Sequence, residues 1–497
     1  MANHFIHYDL KNGVEYATLY YPTRSDGKKV NEIQYLGRVI DKQRGIYQSR
    51  EKGIFKYSLN SGFLDYTPPE VEGEEKIILD FGDIYLLSEY LKKSGIYDII
   101  AETIPKARDT ILALTMFRIL SQSANYYAYD WWEGSYARFL FPNASLSSQH
   151  LSEFLSELGD EAVQRCFFDR YLRFICGDER RRAILIDSTG LANKIHFPLA
   201  AVNTHGGKTS RESRLILAVD SMSSMPLFFR YAAGNIVDVT TLKATINELA
   251  QYGVDTKLVI VDAGYFSDKN IKSLLNDGIA FLTRVQPNRV IFKDLLKNNI
   301  HELTDVRFLT KYHQRLVYIK RISTLIEGHT VYAYIAIDVQ RRNDESYNYL
   351  EGALDDKLKG DLSDKDIEKK LESLGVFVLL CSECLETQDI LPMYYTRQTI
   401  EQIFDVGKNN LELLPLRVHK EDTFRGHLML SFMASAAYLS FSHGLIKSDY
   451  NAVGVLLNAR NLKCKVYNET ILVKEPTKVT REAATLLKID LPDCITI

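Results

Sequence analysis

Tyr394, Arg397, Glu401 and Lys408 stand three, four and seven residues apart in YYTRQTIEQIFDVGK, whose apolar residues recur at helical spacing. At about 100° per residue the four positions fall within roughly 60° of one another, on a ridge about 21 Å long. Ile400, Phe404, Gly407 and Leu411 lie roughly a quarter turn away, which predicts a core-facing stripe. One reading of the ridge is a solvated face laced with ion pairs. The other is a metal-holding carboxylate flanked by groups that grip an anionic backbone.

Two further carboxylates bear on that choice. Asp187 closes the apolar run ILIDST, and Asp262 closes LVIVDAGY. A carboxylate at the C-terminal end of a buried strand points into the crevice where α/β proteins bind ligands. Singly, each reads first as a turn or cap residue. Brought together by adjacent strands and a helix, Asp187, Asp262 and Glu401 would form an all-oxygen site suited to Mg²⁺ or Mn²⁺. Two such ions about 4 Å apart activate a nucleophile and stabilise a leaving oxygen in phosphoryl transfer.

The elements that must position these residues can be followed along the chain. Residues 1–75 are β-rich, with alternating runs such as EYATLYY and NEIQYLGRVI, and end in the linker-like DYTPPEVEGEE. Residues 76–180 read as helices (DIYLLSEYLKKSG, DTILALTMFRILSQ and SSQHLSEFLSELG), open to plain packing or to a DNA-binding role. Over 181–289, three apolar strands (AILIDSTG, SRLILAVDS, PLFFRYAAG) precede alternating helices and strands, the pattern of an α/β layer. Residues 290–375 interrupt it with the Tyr-rich strands RLVYIKRIS and HTVYAYIAIDV and a charged helical stretch. Residues 376–447 restore the layer with VFVLLCSE and carry the Tyr394–Lys408 helix, and 448–497 form a mixed-charge tail that could dimerise.

Composition bounds the class. The 497 residues are 46% hydrophobic and 25% charged, as in a soluble globular protein of roughly two to four domains. A net charge of −3 gives no overall basic footprint for nucleic acid, although a large chain can concentrate positive charge locally. Six scattered cysteines fit a reducing cytosol. Cys381 and Cys384 form one CxxC without the second half that a structural zinc needs. MANHFIHYDLKNG has no apolar signal region. The run HLMLSFMASAAYLSFSHGLI is broken by Ser431, Ser435, Ser440, Ser442 and His443, so it reads as a buried helix rather than a membrane span.

Several ordered motifs together resemble the insertion-sequence DDE transposases, in the branch with a β-rich insertion before the final glutamate. Tyr394, Arg397, Glu401 and Lys408 match that branch's Y-R-E-K signature, with its gaps of two, three and six residues. AGNIVDVTT is similar to its GN..D..T segment, LIDSTG to its first-Asp block, and VDAGYFSDKNIKSLLNDGIAFLTRV to its second. The resemblance spans roughly 183 to 440 and is loose at both ends of the chain. It implies a ribonuclease-H-like core with Asp187, Asp262 and Glu401 as the metal-binding catalytic triad. It also implies that Tyr394, Arg397 and Lys408 contact transposon-end phosphates.

By the same resemblance the protein would use Mg²⁺ or Mn²⁺, two ions at a time. Its partners would be double-stranded DNA, both terminal inverted repeats and target, and a second copy of itself in a synaptic complex. It would work on DNA in a prokaryotic cytoplasm, with no membrane. The reaction would be hydrolysis at the transposon end, followed by attack of the freed 3′-hydroxyl on target DNA. The alternatives are a ribonuclease-H-like nuclease or resolvase and an inactive, domesticated DNA-binding protein, against which the intact set of three carboxylates argues. In the best-known members of the branch a Trp of the insertion supports a flipped base during hairpin formation. Here the tryptophans are Trp131 and Trp132, in the helical region, which leaves a tyrosine such as Tyr318 or Tyr332 as the stacking face.

Weaker signals have ordinary readings. GGKTS lacks the earlier glycine of a phosphate-binding loop, because that position holds Val202. Lys208, Arg211 and Arg214 lie near DNA or in a solvated turn. Asn235 and Asp238 brace the site or cap the helix starting near Val239. His196 and His205 read as loop residues.

Overall fold

The computed structural model describes residues 4–11, 13–25, 28–65, 77–121, 123–192, 199–205, 208–236, 238–359, 363–410 and 420–497. The Asp238, His205 and Lys208 side chains, His196, Leu411, the Gly206–Gly207 pair and most of DYTPPEVEGEE lie outside that description. The chain divides into two compact units, Met1–Phe154 with Ala436–Ile497, and Leu155–Ser435.

The first unit opens with a six-stranded antiparallel meander in sequential order. Its strands are β1 (Phe5–Lys11), β2 (Val14–Ser25), β3 (Lys28–Asp41), β4 (Ile46–Ser49), β5 (Gly53–Ser58) and β6 (Gly62–Asp65). Alternation places Ala17, Leu19, Leu36, Tyr47, Phe55 and Tyr57 in one buried cluster, as a period of two requires. Then comes β7 (Ile77–Asp80), which belongs to a second small sheet, followed by helices that include Gly82–Ser94 and Arg108–Ser121. The first of these helices stops where Gly95 takes φ of 83°, a left-handed cap that costs glycine little.

The second unit is built on one mixed sheet. Its strands in chain order are β8 (Arg181–Ala192), β9 (Ala201–His205), β10 (Lys208–Asp220), β11 (Pro226–Ala233), β12 (Asp255–Val261), β13 (Ala280–Arg284), β14 (Leu309–Tyr312), β15 (Arg315–Ile326), β16 (His329–Asp338) and β17 (Val376–Cys381). The spatial order is β11-β10-β8-β12-β13-β17-β16-β15-β14, with β9 beside β10. β12 runs parallel to both β8 and β13, while β10 and β11 are antiparallel to their neighbours. The helices Asp238–Gln251 and Asp268–Asn276 bracket β12 in the chain, giving the long crossovers that parallel pairing needs. The Tyr-rich strands of the 290–375 segment extend this same sheet, because β16 pairs with β17.

Central strands of such a sheet are covered on both faces and read as unbroken apolar runs. All six residues of β17 are buried, as are Leu258 to Val261 of β12. Phe168, Phe228, Phe229 and Phe432 pack ring against ring beside β11. Two glycines set a closer approach: a Cβ on Gly159 would lie 1.8 Å from the Asp422 carbonyl oxygen, and one on Gly426 1.8 Å from that of Leu155.

A last segment returns to the first unit, where β18 (Lys463–Val466), β19 (Thr470–Val473) and β20 (Cys494–Thr496) complete the sheet β20-β19-β18-β7. The serine-interrupted apolar run forms part of the helix Glu421–Gly444. Within it Ser431 and Ser435 donate to the carbonyls of His427 and Ser431 at 2.9 and 2.8 Å, so buried hydroxyls stay satisfied. Among the described residues no helix is long and apolar enough to cross a membrane.

Candidate active site

Strand register brings the two aspartates together. The parallel pairing of β8 with β12 ends at Ile186 opposite Val261. The next residue on each chain segment is Asp187 or Asp262, so both carboxylates reach the same edge of the sheet. Asp262 leaves the strand at once and precedes a single 3₁₀ turn, Ala263–Tyr265. Asp187 does not close its strand, contrary to the sequence expectation. β8 runs on to Ala192 because the antiparallel β10 keeps pairing as far as Glu212 opposite Ala192.

The Y-R-E-K stretch also departs from the straight helix expected. It consists of the helix Thr387–Tyr395, a turn at Thr396 and Arg397, the helix Gln398–Asp405 and a π-helical segment Val406–Asn410. The turn keeps helical dihedrals but tightens its bonds to i→i−3, with Arg397 N–H donating to Tyr394 O and Ile400 N–H to Arg397 O. Tightening before Glu401 and loosening after it change the angle per residue, so the four side chains share no single exposed ridge. Tyr394 is buried and the Arg397 side chain is only 16% exposed. Ile400 and Phe404 are buried as the apolar stripe requires, and Ile403 joins them.

All three carboxylates converge on one guanidinium. Arg397 Nη1 donates to Asp187 Oδ2 at 2.8 Å, and Nη2 donates to Glu401 Oε1 at 2.8 Å. Asp262 Oδ1 stands 3.8 Å from the same Nη2 and accepts from the Tyr394 hydroxyl at 3.2 Å. Burial alone would lower the Arg397 pKa, but Asp262, Tyr394, Asp187 and Glu401 outweigh it and raise it above the ordinary value. Burial, with the Asp262 charge beside it, pushes the Tyr394 hydroxyl well above its usual range, so it stays a donor. Three carboxylates share this one guanidinium at a partly open site. Glu401 and Asp262 keep 53% and 43% of their side chains exposed toward solvent.

The donor set suits a hard divalent cation, since it is all oxygen and rich in carboxylate. Among the described residues no group of three or more His, Cys, Asp or Glu side chains is arranged to hold a metal ion by itself. At this site the guanidinium stands among the acids instead. The residues fit the ion in chemistry and charge, provided that Arg397 moves.

Residues 178–436 match the transposase DDE domain family model, a span that contains Asp187, Asp262, Tyr394, Arg397, Glu401 and Lys408. The chain belongs to the DDE transposase family. No curated protein matches it significantly. Among solved structures, the piggyBac transposase synaptic complex with hairpin DNA is 11% identical, covering 82% of this chain and 79% of that one with a TM-score of 0.41. The Drosophila P element transposase strand transfer complex is 12% identical, covering 75% and 90% with a TM-score of 0.20.

Other residues of the transposase domain fall into place around the acids. Lys408 Nζ donates to Thr189 Oγ1 at 2.5 Å, two residues beyond Asp187 on β8. Arg214 lies on β10 opposite Gly190, not in a turn, and its Nη1 donates to Ser188 Oγ at 3.4 Å. Arg211 and Asn235 are exposed. A Cβ on Gly234, the glycine of AGNIVDVTT, would lie 2.1 Å from the Glu212 carbonyl oxygen, which explains the residue type there. Buried Cys381 and exposed Cys384 are both free thiols.

Tyr312 had no signal in the sequence. It lies on the four-residue β14, too short to show alternation, and stacks on Tyr395 with ring centroids 5.2 Å apart. Tyr312, His313, Arg315, Tyr395 and Gln398 line a cavity of about 420 Å³ beside the Arg397 turn. Tyr318 and Tyr332 are half-buried on β15 and β16.

Proposed function

We propose that this chain is a Mg²⁺- or Mn²⁺-dependent transposase that cleaves transposon ends and joins the freed 3′-hydroxyl to target DNA. The carrying observation is the convergence of Asp187, Asp262 and Glu401 on one guanidinium within the family span. The strand order β11-β10-β8-β12-β13, three antiparallel strands and then two parallel ones, favours a ribonuclease-H-like core. Asp187, Asp262 and Glu401 would hold the ions, which when bound would supply charge stabilisation and an activated oxygen nucleophile.

The chain's own groups do the positioning. Asp187 and Asp262 are fixed by the rigid edge of a parallel strand pair, which sets their spacing before any ligand arrives. Tyr394 donates to Asp262 Oδ1 and so orients that carboxylate. Arg397 offers a planar fork that matches two phosphate oxygens, and Lys408 a point charge. Such contacts hold a DNA strand in place without reading its sequence. Synapsis of two ends would use a second copy of the chain.

The test is to incubate a duplex carrying the terminal repeats that flank the gene with purified protein and Mg²⁺, then map the nicks. Cuts at the repeat boundary support the transposase reading. Cuts without end preference would replace it with a general nuclease, and binding without cuts under Mg²⁺ or Mn²⁺ with an inactive DNA-binding protein.

A further inference from the structure

Arg397 sits in a contradictory place for a phosphate fork. Nη1 is committed to Asp187 at 2.8 Å, and Nη2 to Glu401 at 2.8 Å with Asp262 at 3.8 Å. In this arrangement the end-on Nη1–Nη2 fork is taken by two carboxylates, and Asp187 and Glu401 each have an oxygen bound to it. A guanidinium cannot shed its charge near neutral pH, so it can vacate the acids only by swinging away. Two divalent cations among the same carboxylates would repel it at short range. One fork therefore serves either the acids or a DNA phosphate, and its geometry suits both.

We propose that Arg397 is an internal counter-ion that keeps the acidic site closed to divalent cations until a DNA backbone phosphate draws its guanidinium away. DNA and metal then bind with positive coupling, and by linkage each tightens the other by the same factor. The protein without DNA is held in a metal-poor, inactive state. The local structure permits the exchange. Arg397 lies in the turn between two helices, where its backbone bonds to Tyr394 and Ile400 survive a side-chain rotation. Glu401 and Asp262 lie at the open side of the site. Release removes the positive charge that Asp187, Asp262 and Glu401 share, which strengthens the pull on a cation. This inference rests on the triad reading given under Proposed function.

The test is Mn²⁺ binding to the full chain, measured by calorimetry without DNA and repeated with a duplex of the terminal repeat. Arg397→Ala is expected to bind Mn²⁺ about tenfold or more tighter than wild type without DNA, within the usual span of coupling energies. The duplex should tighten Mn²⁺ binding to wild type and change it little in the variant. Arg397→Gln, which keeps hydrogen-bonding capacity without charge, should behave like Arg397→Ala and guards against a folding defect in either. Equal or weaker Mn²⁺ binding by both variants would overturn the counter-ion role. Adding Glu401→Gln to Arg397→Ala should abolish the gain. If the gain survives that change, the ion binds elsewhere, and the triad reading falls together with this one. Loss of the gain, with no effect of the duplex on wild type, would keep the triad and overturn the coupling to DNA.

Discussion

Lys408 reaches across 219 positions to donate to Thr189 Oγ1 at 2.5 Å, tying the π-helical segment to the strand that carries Asp187. Burial lowers the Lys408 pKa, and the charges of Asp405 and Glu212 only partly oppose it. The folded chain therefore disfavours the ammonium relative to water. That cost is present while both folded and unfolded states are protonated, and it fades as pH rises toward the ordinary lysine value of 10.5. Wild type should gain stability relative to Lys408→Met as pH is raised from 7 toward about 10. Urea melts of both proteins across that range check the sign, and a constant difference would count against the buried charge.

Arg397→Ala should weaken binding of a terminal-repeat duplex and reduce the slope of log affinity against log salt by about one, the loss expected for one phosphate contact. The protein should stay folded, since the turn is held by backbone bonds. Titrations of both proteins at three or more salt concentrations give the slopes. Parallel slopes would remove Arg397 from the DNA contacts.

Gly426 and Gly159 mark where two segments of the second unit touch backbone to backbone. A Cβ at Gly426 would sit 1.8 Å from the Leu155 carbonyl oxygen, a contact that only displacement of a backbone can relieve. Gly426→Ala should cost about 1–3 kcal/mol of stability, despite alanine's better helix propensity. A thermal melt at or above the wild-type midpoint would show that the segments can part freely.

Much of this was legible in the sequence, and particular residues show why. The apolar runs ending in Asp187 and Asp262 announced buried strands, and their register made the two acids neighbours. The Y-R-E-K spacing sets Arg397 and Glu401 four residues apart, and the two form an ion pair at 2.8 Å. Hidden from the sequence was the change of helical pitch at Thr396 and again at Val406, because no local pattern specifies an i→i−3 or i→i+5 turn. The choice for Arg214 between a solvated turn and a place near DNA stays open in the sequence because its strand is rich in polar residues at that end. Tyr312 carries no sequence signal because its partner Tyr395 lies far along the chain, although β14 itself pairs locally with β15. Periodicity reports which face of an element is buried, not which distant side chain it meets.

The most direct test of the central claim pairs wild type with Glu401→Gln, a change that removes a charge at the acidic site while nearly conserving volume. Each protein is given a terminal-repeat duplex with Mg²⁺, and binding and cleavage are measured separately. Near-normal binding and fold are expected, with strand cleavage lost by about 100-fold or more, as for removal of a group central to transition-state stabilisation. Cleavage at the wild-type rate would contradict the assignment of Glu401, and with it the three-carboxylate active site.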